Sequence, residues 1–194
     1  LGPVAALIAD KKLDEAEKRL REVLRLSGER AKDLGWVHAR LGTVLAQQRR
    51  IDEAIEAFQA AVAANPRDGR TMTGLGLLLG ARQRLDEAIE VFEKAIRLDP
   101  VFAITHINYG AVLRRAGRLD EAIEQYRTAI RKDPNQARAY VGLSQVLAAQ
   151  GKLDEAIRVI NQAIEITRPS GNDAFVRQLE TLREQYRLKQ GGAP

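Results

Sequence analysis

The sequence predicts an all-α chain assembled from antiparallel helix pairs, on three observations. The strings IDEAIE from Ile51, LDEAIE from Leu85 and Leu119, and LDEAIR from Leu153 set Ala54, Ala88, Ala122 and Ala156 at a constant interval of 34 residues. Pro66, Pro100 and Pro134 keep that interval, and Pro169 follows one residue late. Between these marks apolar residues recur as one helical stripe: Leu41, Val44 and Leu45, then Leu75, Leu78 and Leu79, then Tyr109, Val112 and Leu113, then Leu143, Val146 and Leu147. A repeat of this length is one supersecondary unit that needs neighbours to bury its apolar face.

Each element follows from local chemistry. The stripe above is the first helix of each unit. A short turn ends it, with Gly117 and Gly151 supplying permissive backbone in two units. The second helix opens at an Asp-Glu pair, whose charge and capping oxygens suit a helix N-terminus. Its buried stripe is Ala54, Phe58, Ala61 and Val62, repeated as Ala88, Phe92, Ala95 and Ile96. Proline then stops it, because the ring removes a donor and clashes with the preceding turn. Gly42, Gly76, Gly110 and Ser144 share one position, where a small residue lets the two helices approach closely.

These marks divide the chain into a truncated unit and its connection over 1–34, four full units over 35–68, 69–102, 103–136 and 137–170, a capping helix over 171–190, and a frayed tail over 191–194. The step from Ala16 to Ala54 is four residues longer than the others, about one helical turn, which predicts that a flanking helix is longer by a turn. Phe175, Leu179, Leu182 and Tyr186 form an amphipathic stripe predicted to cover Ile157 and Ile164. The chain starts at Leu1 rather than Met, as an excised or processed fragment does, with Leu1-Gly2-Pro3 as a cloning remnant.

The residues Leu41, Gly42, Ala54, Phe58, Ala61 and Pro66, then Leu75, Gly76, Ala88, Phe92, Ala95 and Pro100, then Tyr109, Gly110, Ala122, Tyr126, Ala129 and Pro134, resemble the pattern of the tetratricopeptide repeat family. The fourth copy departs at Ser144, Ile160 and Pro169. The resemblance implies a right-handed solenoid whose first helices line a concave groove. Its groove-facing positions fall here on Trp36, Arg70, Thr73, Leu77, Ile104, Ile107, Asn108, Ala111, Arg114, Arg115, Arg138, Val141 and Gln145. Leu77, Ile104, Ile107 and Val141 would form an exposed apolar floor with arginine at its margins.

Composition narrows the chemistry. Of 194 residues none is Cys and two are His, which leaves no disulfide framework, thiolate metal site or multi-histidine metal site. Aromatics at 5% are thin for stacking on nucleic-acid bases. No apolar run reaches the roughly 20 residues that span a membrane. No cofactor is expected, and the cytoplasm is the favoured compartment. The Asp-Glu pairs read as helix starts in a row rather than carboxylates converging on a cleft. His38 and His106 sit at one position two units apart and read as packing residues. Gly74, Gly76 and Gly80 lack the dinucleotide spacing and a preceding strand. Gly76 has the packing role, while Gly74 and Gly80 are either neutral or mark the close approach of a partner's backbone. The basic residues Lys12, Arg50, Arg84, Arg118 and Lys152 precede the second helices, where the dipole of the first helix and the Asp two residues on account for them.

One charge pattern points to function. The first helices over 35–48, 69–82, 103–116 and 137–150 contain no Asp or Glu, yet carry Arg40, Arg70, Arg82, Arg114, Arg115 and Arg138. The family's chaperone-tail clamp is not matched, since Thr73, Leu77 and Gly142 stand at its polar positions, and its asparagine ladder is present only at Asn108. The reading is a non-catalytic scaffold that binds a protein or peptide with acidic and apolar residues. The alternatives are a self-assembling homo-oligomer, with a terminal helix in a neighbour's groove, and the regulatory region of a longer enzyme.

Overall fold

The computed structural model describes residues 2–98 and 102–191. Its helices are α1 (Gly2–Ala9), α2 (Leu13–Ser27), α3 (Gly35–Gln47), α4 (Ile51–Ala64), α5 (Gly69–Ala81), α6 (Leu85–Leu98), α7 (Ala103–Arg115), α8 (Leu119–Lys132), α9 (Ala137–Ala149), α10 (Leu153–Thr167) and α11 (Asp173–Gly191). The all-α class holds, with no strand among the described residues. Pro100 and the tail beyond Gly191 lie outside those residues, and so does Leu1. The chain forms two compact units, Leu1–Pro100 and Val101–Pro194.

In the first unit α3 packs on α4 and α5 on α6, while α4–α5 and α2–α3 contacts join successive pairs. The core runs through Ala16 and Leu20 of α2, Val37, Val44 and Leu45 of α3, Phe58 of α4, Leu79 of α5 and Phe92 of α6. In the second unit α7–α8, α8–α9, α9–α10 and α10–α11 pack in the same way. Leu113, Tyr126, Val146, Ile160 and Leu179 are buried there.

A repeated wedge sets the spacing of the pairs. Phe58 lies between two glycines: a Cβ on Gly42 would fall 2.6 Å from its ring, and a Cβ on Gly74 2.9 Å from it. Tyr126 lies likewise between Gly110 and Gly142. Gly74 therefore has a packing role of its own, contrary to the expectation that Gly76 alone did. It makes room for the aromatic ring of the preceding pair. The last copy replaces all three members together. Ser144, Ile160 and Val176 stand at the corresponding positions and are buried, so a smaller wedge is matched by larger neighbours.

The turn between paired helices uses one left-handed residue each time: Lys11, Arg49 and Gln83 at φ 57, 64 and 61°, and Gly117 and Gly151 at 77 and 76°. The Asp-Glu pairs lie inside the first turn of the second helices, and the N-cap residues Lys12, Arg50, Arg118 and Lys152 make no side-chain cap bond. The acids thus act through the dipole and through side-chain pairs rather than as caps. Glu53, Glu87 and Glu121 accept from Arg50, Arg84 and Arg118 at 2.6, 2.7 and 2.5 Å. The three arginines of the series are accordingly neutralised by a glutamate three residues on, not by the aspartate. The aspartates reach forward to the next first helix or to the cap: Asp14 accepts from Gln48, Asp120 from Gln150 and Asp154 from Gln190, and Asp52 pairs with Arg82.

The four extra residues do not lengthen a helix. They enter a 3-10 helix over Gly28–Asp33, and His38 bonds the Ala31 carbonyl there at 3.0 Å. His106 is buried, with Nδ1 2.8 Å from the Gln125 side-chain oxygen. The cap covers the end of the second unit, with Val176 and Leu179 clustered on Ile160, Ala163 and Ile164. Phe175 and Leu182 are only half-buried, and Ile157 is too.

Candidate functional site

The first-helix faces are best described unit by unit. In the first unit Trp36 of α3 and Leu77 of α5 are 51% and 49% exposed, unusual for large apolar side chains. Arg70 is exposed on the first turn of α5, where Asp68 caps the helix by accepting from the Arg70 and Thr71 amides. Thr73 is buried, and its hydroxyl donates to the Gly69 carbonyl at 2.8 Å. It is therefore not available at the surface, because α5 is packed by both α4 and α6.

Between α3 and α5 lies a hollow of about 280 Å³ lined by Thr43, Ala46, Gln47, Leu77 and Leu78, with Phe58 and Gly74 also contributing. Sequence reasoning placed Leu77 at the surface but did not find the hollow. Its signal was the pairing of Phe58 with Gly74, which becomes legible only when successive repeats are laid on one another.

In the second unit Ile104, Arg115 and Arg138 are exposed, and Asn108, Ala111, Arg114, Val141 and Gln145 are half-buried. Ile107 is only 7% exposed. The expected apolar floor thus loses Ile107 to the core, because α7 packs on both α8 and α9 and only a narrow strip of it stays open. Arg114 is not a marginal surface cation either. Burial pushes the Tyr126 phenol up, and the Arg114 guanidinium beside its hydroxyl offsets part of that rise. Tyr186 is also raised by burial, and is opposed by the Ser144 hydroxyl at 3.4 Å and by the charge of Arg114. The Arg114 Nε is buried with no hydrogen-bond partner.

Arg138 lines a cleft of about 500 Å³ between the starts of α9 and α11, shared with Gln136, Ala137, Asn172, Ala174, Phe175 and Gln178. The lining contains a cation, three side-chain amides and an aromatic ring, and no carboxylate. The capping helix thus brings Asn172, Phe175 and Gln178 to Arg138. None of the three was expected at a site, because a cap pattern reports only what the helix covers.

No group of three or more His, Asp or Glu side chains suited to a metal occurs among the described residues. No helix among them is long and apolar enough to cross a membrane.

Comparison with known proteins fixes the family. A tetratricopeptide repeat signature matches residues 39–101 and 110–173, more than half of the chain, and a second one matches residues 91–124. No curated protein sequence matches. Among solved structures, a crystal structure of MamA is 22% identical with a TM-score of 0.78, covering 88% of this chain and 98% of that one. MamA from residue 41 onward of Desulfovibrio magneticus RS-1 is 18% identical with a TM-score of 0.77, covering 86% and 92%. YrrB, described as a TPR protein with an unusual peptide-binding site, is 22% identical with a TM-score of 0.70, covering 85% and 83%. At these identities the likeness is one of fold. Tetratricopeptide proteins are in general non-catalytic interaction scaffolds, and this chain belongs to the tetratricopeptide repeat family.

Proposed function

We propose that the chain is a non-catalytic scaffold whose first-helix faces bind a peptide rich in acidic residues and carrying apolar ones. The observation that carries this reading is charge segregation. Helices α3, α5, α7 and α9 hold no Asp or Glu, whereas glutamates of the second helices are paired with their own arginines. The first helices of each unit carry arginine and no acid, beside exposed Trp36 and Leu77 in the first unit and exposed Ile104 in the second, which suits a ligand of opposite charge with apolar side chains. The description of YrrB as having a peptide-binding site agrees with a peptide as the ligand.

The experiment is to pan a display library of random dodecapeptides on the full chain. Enrichment of Asp and Glu is the expected result. Binding of the selected peptides should weaken as salt rises from 50 to 500 mM, through screening of exposed charge. The Arg115→Glu, Arg138→Glu double variant should lose them while its circular dichroism stays unchanged. Enrichment of basic or uncharged peptides would overturn the reading.

A second reading, self-assembly, is favoured by Val23 and Leu26 on α2 and Leu188 on α11, exposed by 38%, 70% and 75%. A mass in light scattering that doubles over a hundredfold rise in concentration would support it. A constant monomer mass would remove it.

A further inference from the structure

Equivalent positions of the repeat carry different chemistry in the two units. In the first unit they are Thr43, Ala46 and Gln47 of α3, Phe58 of α4, and Gly74 and Leu77 of α5. In the second they are Ala111, Arg114 and Arg115 of α7, Tyr126 of α8, and Gly142 and Gln145 of α9. Arg114 stands where Ala46 does, and its guanidinium lies beside the Tyr126 hydroxyl. In the first unit no long side chain occupies that place. Gly74 has no Cβ over the Phe58 ring, and any side chain there would meet the ring at 2.9 Å. The aromatic residue that wedges the two pairs apart is thus also part of the lining of an open hollow.

We propose that the hollow between α3 and α5 is an anchor pocket for one aliphatic side chain, leucine or isoleucine, of an acidic peptide; this rests on the peptide-binding reading above. Its volume of about 280 Å³ lies just below the roughly 300–1,000 Å³ of pockets that engulf small molecules, which suits one side chain. Its walls are Ala46, Leu77, Leu78 and Thr43, whose hydroxyl donates to the Ala39 carbonyl, over part of an aromatic ring, with Gln47 the one amide in the lining, so the site selects mainly by apolar contact. The helices that frame it contribute Arg40 and Arg70 and no acid, so the residues flanking the anchor are acidic by charge complementarity. An aliphatic side chain gains from leaving water there, whereas a lysine or glutamate finds no group of opposite charge in the lining.

The test uses the full chain and synthetic nonapeptide pools. Each pool has one fixed central residue (Leu, Ile, Ala or Lys) and flanks randomised among Asp, Glu, Ser and Gly. On the wild type, the Leu and Ile pools should bind at least about tenfold tighter than the Ala pool, the discrimination an apolar pocket achieves for a few methylenes. Ala46→Leu and Thr43→Leu fill the hollow from different sites and leave the Gly74–Phe58 contact intact. Either should abolish the preference for Leu over Ala while thermal stability stays at the wild-type level. Arg40→Glu with Arg70→Glu should weaken every pool and keep the ratio between them. Equal binding of the Leu and Ala pools, or a preference that survives both filling variants, would overturn the anchor pocket alone. Failure of all pools to bind would overturn the peptide-binding reading and the pocket with it.

Discussion

Gly142→Ala should destabilise the second unit, although alanine is the better helix former. Gly142 lies inside α9, where replacing glycine by alanine gains about 1 kcal/mol of helix propensity. Against this stands the Tyr126 ring. The new Cβ would lie 2.8 Å from Cδ1 and closer still to Cε1 and Cζ. On the opposite side the ring faces Gly110, where an added Cβ would lie 3.1 Å from three ring atoms, so the only room to slide is the small gap left by that missing Cβ. Tyr126 is 2% exposed, and its hydroxyl lies beside Arg114, so it cannot swing outward without breaking that contact. Overpacking of a closed core costs about 1–3 kcal/mol, occasionally more, and a contact this short belongs at or above the upper end. The net loss is about 2 kcal/mol, or about 4–8 °C in Tm for a chain of this length. The assay is thermal unfolding followed by calorimetry, for the single variants and the double variant with Tyr126→Ile. The triad Ser144, Ile160 and Val176 indicates that isoleucine tolerates larger flanking residues. In the Tyr126→Ile background the penalty of Gly142→Ala should therefore vanish, leaving a coupling of about 2–3 kcal/mol between the sites. If Gly142→Ala raises Tm in the wild-type background, or if Tyr126→Ile does not relieve its penalty, the wedge argument is wrong.

Two further predictions concern the turns and the acid limb of stability. Gln83→Gly should stabilise the fold and Gly117→Ala destabilise it, each by about 1 kcal/mol, because both positions are left-handed and a Cβ is disfavoured there; a lower Tm for the first or a higher Tm for the second would refute this. Glu53, Glu87 and Glu121 are held below the ordinary glutamate range, first by hydrogen bonds from Arg50, Arg84 and Arg118. Their stabilisation is complete above the unfolded value of about 4.3 and is lost as pH falls through their lower folded-state values. The triple Glu→Gln variant should therefore lose less stability as pH falls below about 4.3, and identical acid titrations would refute the pairing.

The helix pairs were legible because each is specified within its own 34-residue repeat. Apolar stripe, acidic start and small residue at the crossing are all local. What escaped the sequence lies between repeats. Gly74 was given no packing role and Gly142 none either, because the ring that needs each belongs to the preceding repeat. Val176 was overlooked because the cap was read as a stripe of its own, whereas it occupies the place of Gly142 one repeat on. Ile107 was read as surface from its register, yet its burial depends on how α7 is packed by α8 and α9, and a charge there would be placed in the core. The turns kept their left-handed residue at Lys11, Arg49 and Gln83 without glycine, since the flanking helices fix the geometry and override the local preference. The four residues inserted before α3 could equally extend a helix or form a separate turn. The tertiary bond from His38 to the Ala31 carbonyl is among the contacts that hold the second outcome.

The same division bears on function. Positions that hold the stack are nearly the same in every copy: a small residue or glycine beside a large wedge, and an aspartate reaching the next helix. These cannot distinguish one ligand residue from another, since each copy presents them alike. Positions that do not hold the stack differ sharply. Ala46 and Arg114 are equivalents, as are Leu77 and Gln145, and as are Trp36, Arg70, Ile104 and Arg138. Arginine at the Ala46 position would fill the hollow over Phe58, and alanine at the Arg114 position would leave Tyr126 without the cation beside its hydroxyl. At the Ala46 and Leu77 positions each unit therefore presents its own chemistry, apolar in the first and polar or cationic in the second. Exchanging the pair, as Ala46→Arg with Arg114→Ala, should leave the number of helices and the wedges unchanged. The preference for a leucine anchor should be lost in the first unit, and an equivalent apolar hollow should open in the second. Loss of cooperative unfolding on that exchange would show that these residues hold the stack after all, and the separation of scaffold from recognition would fail.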